Sequence, residues 1–156
     1  MRLSLAEIIN KVGTLSTEQE KKDWLKKNDS QPLRTVIKYT YDPAIEFLIP
    51  NVPPPWKKNA YVGVEGMLYN EARRLKIFIK GGGYDHLNQV KREHLFISLL
   101  EDIDNNDADM LCKMIKQQPF DGLSLDVVNL AFPGLISVDS NIKKYNVKIQ
   151  SQHKED

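Results

Sequence analysis

Residues that start or stop a helix punctuate this chain at short intervals, and between them apolar residues recur every three or four positions. Ser4-Leu5-Ala6-Glu7 has the spacing of a capping box, and Leu5, Ile8, Ile9 and Val12 then follow on one helical face until Gly13 ends the run. Ser16, with Gln19 three residues on, opens a second helix whose apolar content is mainly Trp24 and Leu25, and Asn28-Asp29 closes it. Ser30 caps a third helix with Pro32 in its first turn and Leu33, Val36, Ile37 and Thr40 facing inward. Asp42-Pro43 repeats the device and predicts a short fourth helix from Pro43 to about Leu48.

Pro50, Pro53, Pro54 and Pro55 predict an extended loop over residues 50–62, because each proline removes a donor and restricts the residue before it. A fifth helix is expected from Glu65 to Ile79, stopped by Gly81-Gly82-Gly83, which also has the make-up of a hinge. Asp85 is expected to cap a sixth helix running through Leu87, Val90, Ile97, Leu100 and Ile103. Asn105-Asn106-Asp107 breaks it before a seventh, with Met110, Leu111, Met114 and Ile115, and Ser124 starts an eighth. Only at Tyr145, Val147 and Ile149 does the period shorten to two, which reads as a polar tail or a lone strand. The expectation is therefore an all-α fold: one compact multi-helix domain over residues 1–138, followed by a tail over 139–156.

With 156 residues, 41% of them apolar, the chain is long enough for one substantial core and short for two. A single cysteine, Cys112, rules out an intramolecular disulfide framework, and no apolar run reaches membrane-spanning length. These features suit a reducing cytoplasm and give no reason to expect a membrane partner. The net charge of +1 hides an uneven distribution, since residues 1–80 hold 14 Lys/Arg against 9 Asp/Glu and residues 81–156 hold 8 against 12. Doublets at Lys21-Lys22, Lys26-Lys27, Lys57-Lys58 and Arg73-Arg74 supply the charge a phosphate backbone needs if the fold collects them on one face. Each doublet also fits an ordinary solvated helix face.

Catalytic signatures are sparse. Gly81-Gly82-Gly83 lacks the Gly-Lys-Ser/Thr of a phosphate-binding loop and follows a helix where that motif follows a strand. His86, His94 and Cys112 do not have metal-ligand spacing, and Glu101, Asp102, Asp104, Asp107 and Asp109 lack the glycine and closing glutamate of a calcium loop. Cys112 reads as a small buried side chain with no base beside it. No cofactor and no metal are expected.

The stretch from Asp121 to Ile136 combines a glycine turn, a helix capped by Ser124 and a Pro133-Gly134 stop. Gly122 permits a positive φ and close approach, Leu123 can wedge against a groove, and Ser124 can meet a phosphate at a helix start. Lys113 and Lys116, one turn apart on the preceding helix, add charge. The same stretch is equally a well-made turn between two core helices.

Together with Glu7-Ile8-Ile9 and Gly13, Leu33-Arg34 through Tyr39-Thr40-Tyr41, the proline loop ending near Trp56, and Leu111 through Ile136, this order resembles the helical N-terminal DNA-binding domain of ATP-dependent DNA ligases, especially those of T-even-type bacteriophages. The resemblance implies a small phage protein that grips duplex DNA, nicked DNA included, through phosphates and the minor groove, in support of replication or repair. Its implied contacts are Lys113, Lys116, Gly122 and Ser124, with Lys57, Lys58, Arg73, Arg74 and Lys80 as a second patch. The ligase nucleotidyltransferase signature Lys-x-Asp-Gly-x-Arg is not met: around Asp121-Gly122, Pro119 stands at the lysine position and Ser124 at the arginine position. A non-enzymatic role is thus expected. Gln117-Gln118-Pro119 replaces an Arg-Asp pair of that family, and Asp121 and Asp126 bring negative charge to the turn. The alternative is a protein adaptor or inhibitor that docks on a replication factor or host protein through Trp56 or the tail around Tyr145.

Overall fold

A computed structural model describes residues 3–52, 55–58 and 67–137. The all-α expectation holds: among the described residues there are seven α-helices, no named strand and one isolated antiparallel bridge. Helix α1 (Leu5–Val12) begins with the capping box the sequence announces, Ser4 accepting from the Glu7 amide and Glu7 from the Ser4 amide. Helices α2 (Glu18–Lys27) and α3 (Gln31–Tyr41) follow, the latter capped by Ser30. Helix α4 (Met67–Glu71) runs directly into a 3₁₀ segment, Ala72–Phe78. Helices α5 (Gln89–Asp102), α6 (Asn105–Lys116) and α7 (Leu125–Ala131) complete the set.

The core forms around α6, which packs against α1, α3 and α5, while α2 lies across α1 and α7. Leu111 and Met114 of α6 are wholly enclosed, together with Leu5 and Val12 of α1, Leu33, Val36 and Ile37 of α3, and Leu99 and Leu100 of α5. Burying a side chain of this kind contributes roughly 1.5–3 kcal/mol. Phe78 meets Phe96 edge-on, with ring centroids 5.1 Å apart, and so binds the 3₁₀ segment to α5.

Several boundaries differ from the sequence reading. Thr17, not Ser16, caps α2, because Glu20 is the residue placed to accept from both the Ser16 and Thr17 amides at 3.0 and 3.1 Å. The helix expected from Pro43 to Leu48 does not form. Asp42 instead accepts the Ala44 amide in a tight turn, Phe47 bridges to Ile79, and the chain pairs across through Leu48 N–H to Phe78 O and Lys80 N–H to Glu46 O. These long-range bonds satisfy the Leu48 amide and the Glu46 carbonyl, groups that a helix would have used.

In the fifth predicted helix, the buried residues Ala72, Leu75 and Phe78 recur at a spacing of three. That spacing matches the three-residue turn of a 3₁₀ helix better than 3.6. Asp85 does not cap α5; its carboxylate accepts the Gly81 amide, and Asn88 is the cap, which leaves His86 ahead of the helix. The α5–α6 break falls at Ile103-Asp104, with Asp104 as cap, and Asp107 lies inside α6. The segment 139–156, with Tyr145, is outside the described residues, as are residues 53–54 and 59–62 of the proline loop.

Candidate nucleic-acid interface

Helix α6 presents Lys113 and Lys116 to solvent because its opposite face, Leu111, Met114 and Ile115, is fixed in the core. Both lysines line a cleft of about 240 Å³ with Gln118, Pro119, Phe120 and Asp121. Lys113, Phe120 and Asp121 also border an adjoining cleft of about 300 Å³ between α1 and α6, where Asn10, Asn106 and Asp109 add polar groups. The two lysines are therefore brought together, and a carboxylate sits with them.

The turn that follows is held from several sides. Gln117 ends α6 in the left-handed region at φ 55°, and its side-chain amide donates to Tyr39 O and Ile45 O. The Tyr41 hydroxyl accepts the Phe120 amide at 2.8 Å and donates to Leu123 O at 2.6 Å, and burial pushes that phenol above its ordinary pKa. Lys21 Nζ reaches from α2 to Gly122 O at 2.7 Å. Gly122 has φ +76°, and a Cβ built there would lie 2.5 Å from Gly13 Cα. The close approach that Gly122 permits is thus to the end of α1.

Leu123 is 1% exposed, so the sequence reading of it as a wedge for a groove is corrected: it is a core residue. Ser124 is exposed, and its Oγ accepts the Val127 amide as the cap of α7. The hydroxyl hydrogen remains its donor toward an outside group. Arg34, part of the Leu33-Arg34 pattern, pairs with Asp29 through two 2.7 Å bonds and lies over the Phe132 ring.

The second predicted patch is spread over three elements. Lys57 and Lys58 are exposed in the loop, where the Lys57 amide donates to Glu101 of α5 at 2.7 Å. Arg73 is exposed on the 3₁₀ segment, while Arg74 pairs with Glu71 at 2.9 Å. Lys80 is exposed at the end of the bridged segment. Trp56 is half-buried against the core beside Cys112, whose thiol burial pushes up to about 11, out of nucleophilic range at neutral pH.

Arg92 and Lys38 carry no functional signal in the sequence, and Asp42 is expected there only as a helix cap. Arg92, 3% exposed, donates to the carbonyls of Ile77, Tyr84 and Asp85 and to Gln89, and so organises the loop before α5. Lys38 and the buried Asp42 pair at 2.7 Å and hold the end of the described chain through Leu135 O and the Ser137 amide. Their i, i+4 spacing was a readable signal for the pair, although not for its distant partners. Among the described residues no three His, Cys, Asp or Glu side chains converge as metal ligands, and no helix is long and apolar enough to cross a membrane.

No curated protein matches the chain. A family match does exist, and it runs from Ile8 in α1 to Phe120, taking in Lys113 and Lys116 and ending ahead of Gly122 and Ser124. By that match over residues 8–120, the chain belongs to DUF6433, a family of unknown function.

Proposed function

We propose that this protein is a non-catalytic module that binds duplex DNA through its phosphates, related to the ligase DNA-binding domain and accessory to replication or repair. The observation that carries the reading is the pairing of Lys113 and Lys116 in one cleft, exposed on the helix with the most extensive support in the core. Two ammonium groups one turn apart on a rigid helix are placed to meet neighbouring phosphates. Ser124 adds a hydroxyl donor nearby in sequence, and the turn between them is fixed by Tyr41, Gly13 and Lys21. Asp121 opposes the attraction, which favours modest affinity.

Fluorescence anisotropy with nicked and intact duplexes over a salt series tests this. Expected are micromolar binding that weakens steeply with salt, and a loss of at least about tenfold in the Lys113→Glu/Lys116→Glu variant with its helical circular dichroism unchanged. Equal affinity in that variant would remove the cleft from the interface. No binding at low salt would remove DNA as the partner.

A protein adaptor is the second reading, and α5 favours it. Val90 is 65% exposed and lies with Lys91, His94 and Leu95 around an open concavity of about 550 Å³. An adaptor docking through α5 would lose its partner on Val90→Asp in a pull-down, whereas one docking through the half-buried Trp56 would lose it on Trp56→Ala.

A further inference from the structure

Asp107 is wholly buried in the first turn of α6, yet it does not serve its own helix start, where Asp104 accepts the Asn106 amide. Its Oδ1 accepts instead from the Ala6 amide at 2.8 Å, one of the donors that the start of α1 leaves without an intrahelical partner. Its Oδ2 is enclosed and has no hydrogen-bond partner. Among the described residues, the charged groups that face it are Glu7 of α1 and Asp104 at the head of α6, both acidic. An ionised carboxylate in this position has one hydrogen bond and two like charges for company, a costly arrangement away from water. A neutral carboxyl keeps the Ala6 bond through Oδ1 and carries its proton on Oδ2, which removes the charge without breaking the contact.

We propose that the Asp107–Ala6 contact is a proton-operated latch on the seam between α1 and α6, tight when Asp107 is protonated and loosened when it ionises. Ala6, at one end of the latch, and Asn106, the chain neighbour of Asp107 at the other, both border the cleft that Lys113 shares, so loosening the seam changes that cleft whatever occupies it. Burial above all, with Asp104 and Glu7 adding to it against the Ala6 amide, pushes the carboxyl from 3.8 up to about 6. An opened seam returns it to its ordinary value. Opening therefore becomes easier as pH rises from about 4 to about 6 and levels off above, and between pH 5 and pH 7 the opening constant grows about tenfold.

The test is amide hydrogen exchange by NMR, corrected for intrinsic rates, combined with a ¹³C titration of the Asp107 side-chain carboxyl. Expected are a carboxyl midpoint near 6 and protection of the Ala6 amide about tenfold weaker at pH 7 than at pH 5. Asp107→Asn, which retains an acceptor for Ala6, should show the same protection at both pH values. A midpoint below about 4.5, or an undiminished pH dependence in the Asn variant, overturns the latch. Should that variant fail to fold, the wild-type midpoint and exchange ratio decide the question alone.

Discussion

Gly122 was read as a residue that lets a turn approach something closely, and the neighbour proves to be Gly13 of the same chain. Glycine at both positions lets the α1 end and the α6–α7 turn touch backbone to backbone. Gly122→Ala should cost about 2 kcal/mol or more, from a positive φ that L-residues avoid and from a Cβ placed against Gly13 Cα. Urea unfolding would show this as a lower midpoint with an unchanged slope. The residues that hold the turn in place, Tyr41, Gln117 and Lys21, gave little sign of it in the sequence, because each reaches a carbonyl or amide distant along the chain. Leu123 illustrates the converse: a leucine beside an exposed glycine was read outward, and packing turned it inward.

Among the elements, capping chemistry carried most of what was legible, since a cap is satisfied within four residues. Ser4, Ser30 and Ser124 all cap the helices expected of them. At α2, Ser16 with Gln19 has the spacing of a cap, whereas Thr17 with Glu20 forms the box one residue later. Thr17→Ala should therefore lower stability by about 1 kcal/mol and Ser16→Ala by far less, a difference that thermal melts of the two variants would resolve. The failed helix at Pro43–Leu48 has a different cause. Local signals favoured it, but Glu46 and Leu48 found backbone partners at Lys80 and Phe78, thirty or more residues away. The 3₁₀ segment is intermediate, because its three-residue apolar spacing is visible in the sequence yet ambiguous until Ala72, Leu75 and Phe78 are known to be the buried set.

At the scale of the whole molecule, two buried carboxylates give stability opposite dependences on pH. Burial pushes Asp42 up, but the Lys38 ammonium and the amides of Ala44 and Ser137 outweigh it and hold the carboxyl below its ordinary value. Its contribution is present above about pH 4 and is lost as pH falls through the depressed value; Asp29, lowered by its Arg34 hydrogen bonds, acts in the same direction. Asp107 acts the other way, its folded value of about 6 making the fold more stable as pH falls from 6 toward 3.8. The melting temperature should thus peak in mildly acidic solution, with Asp42→Asn flattening the acid side of the profile and Asp107→Asn the neutral side. A profile that rises monotonically to pH 7 in the wild type would contradict the assignment of Asp107. The sequence by itself determined the helical class, the helix starts capped by Ser4, Ser30 and Ser124, and the exposed lysines of α6, because periodicity and capping act over a few residues of chain. Only the tertiary structure decided that Asp107 faces Ala6, that Gly122 meets Gly13 and that residues 43–48 pair instead of coiling, because those outcomes depend on which distant groups remove water from one another.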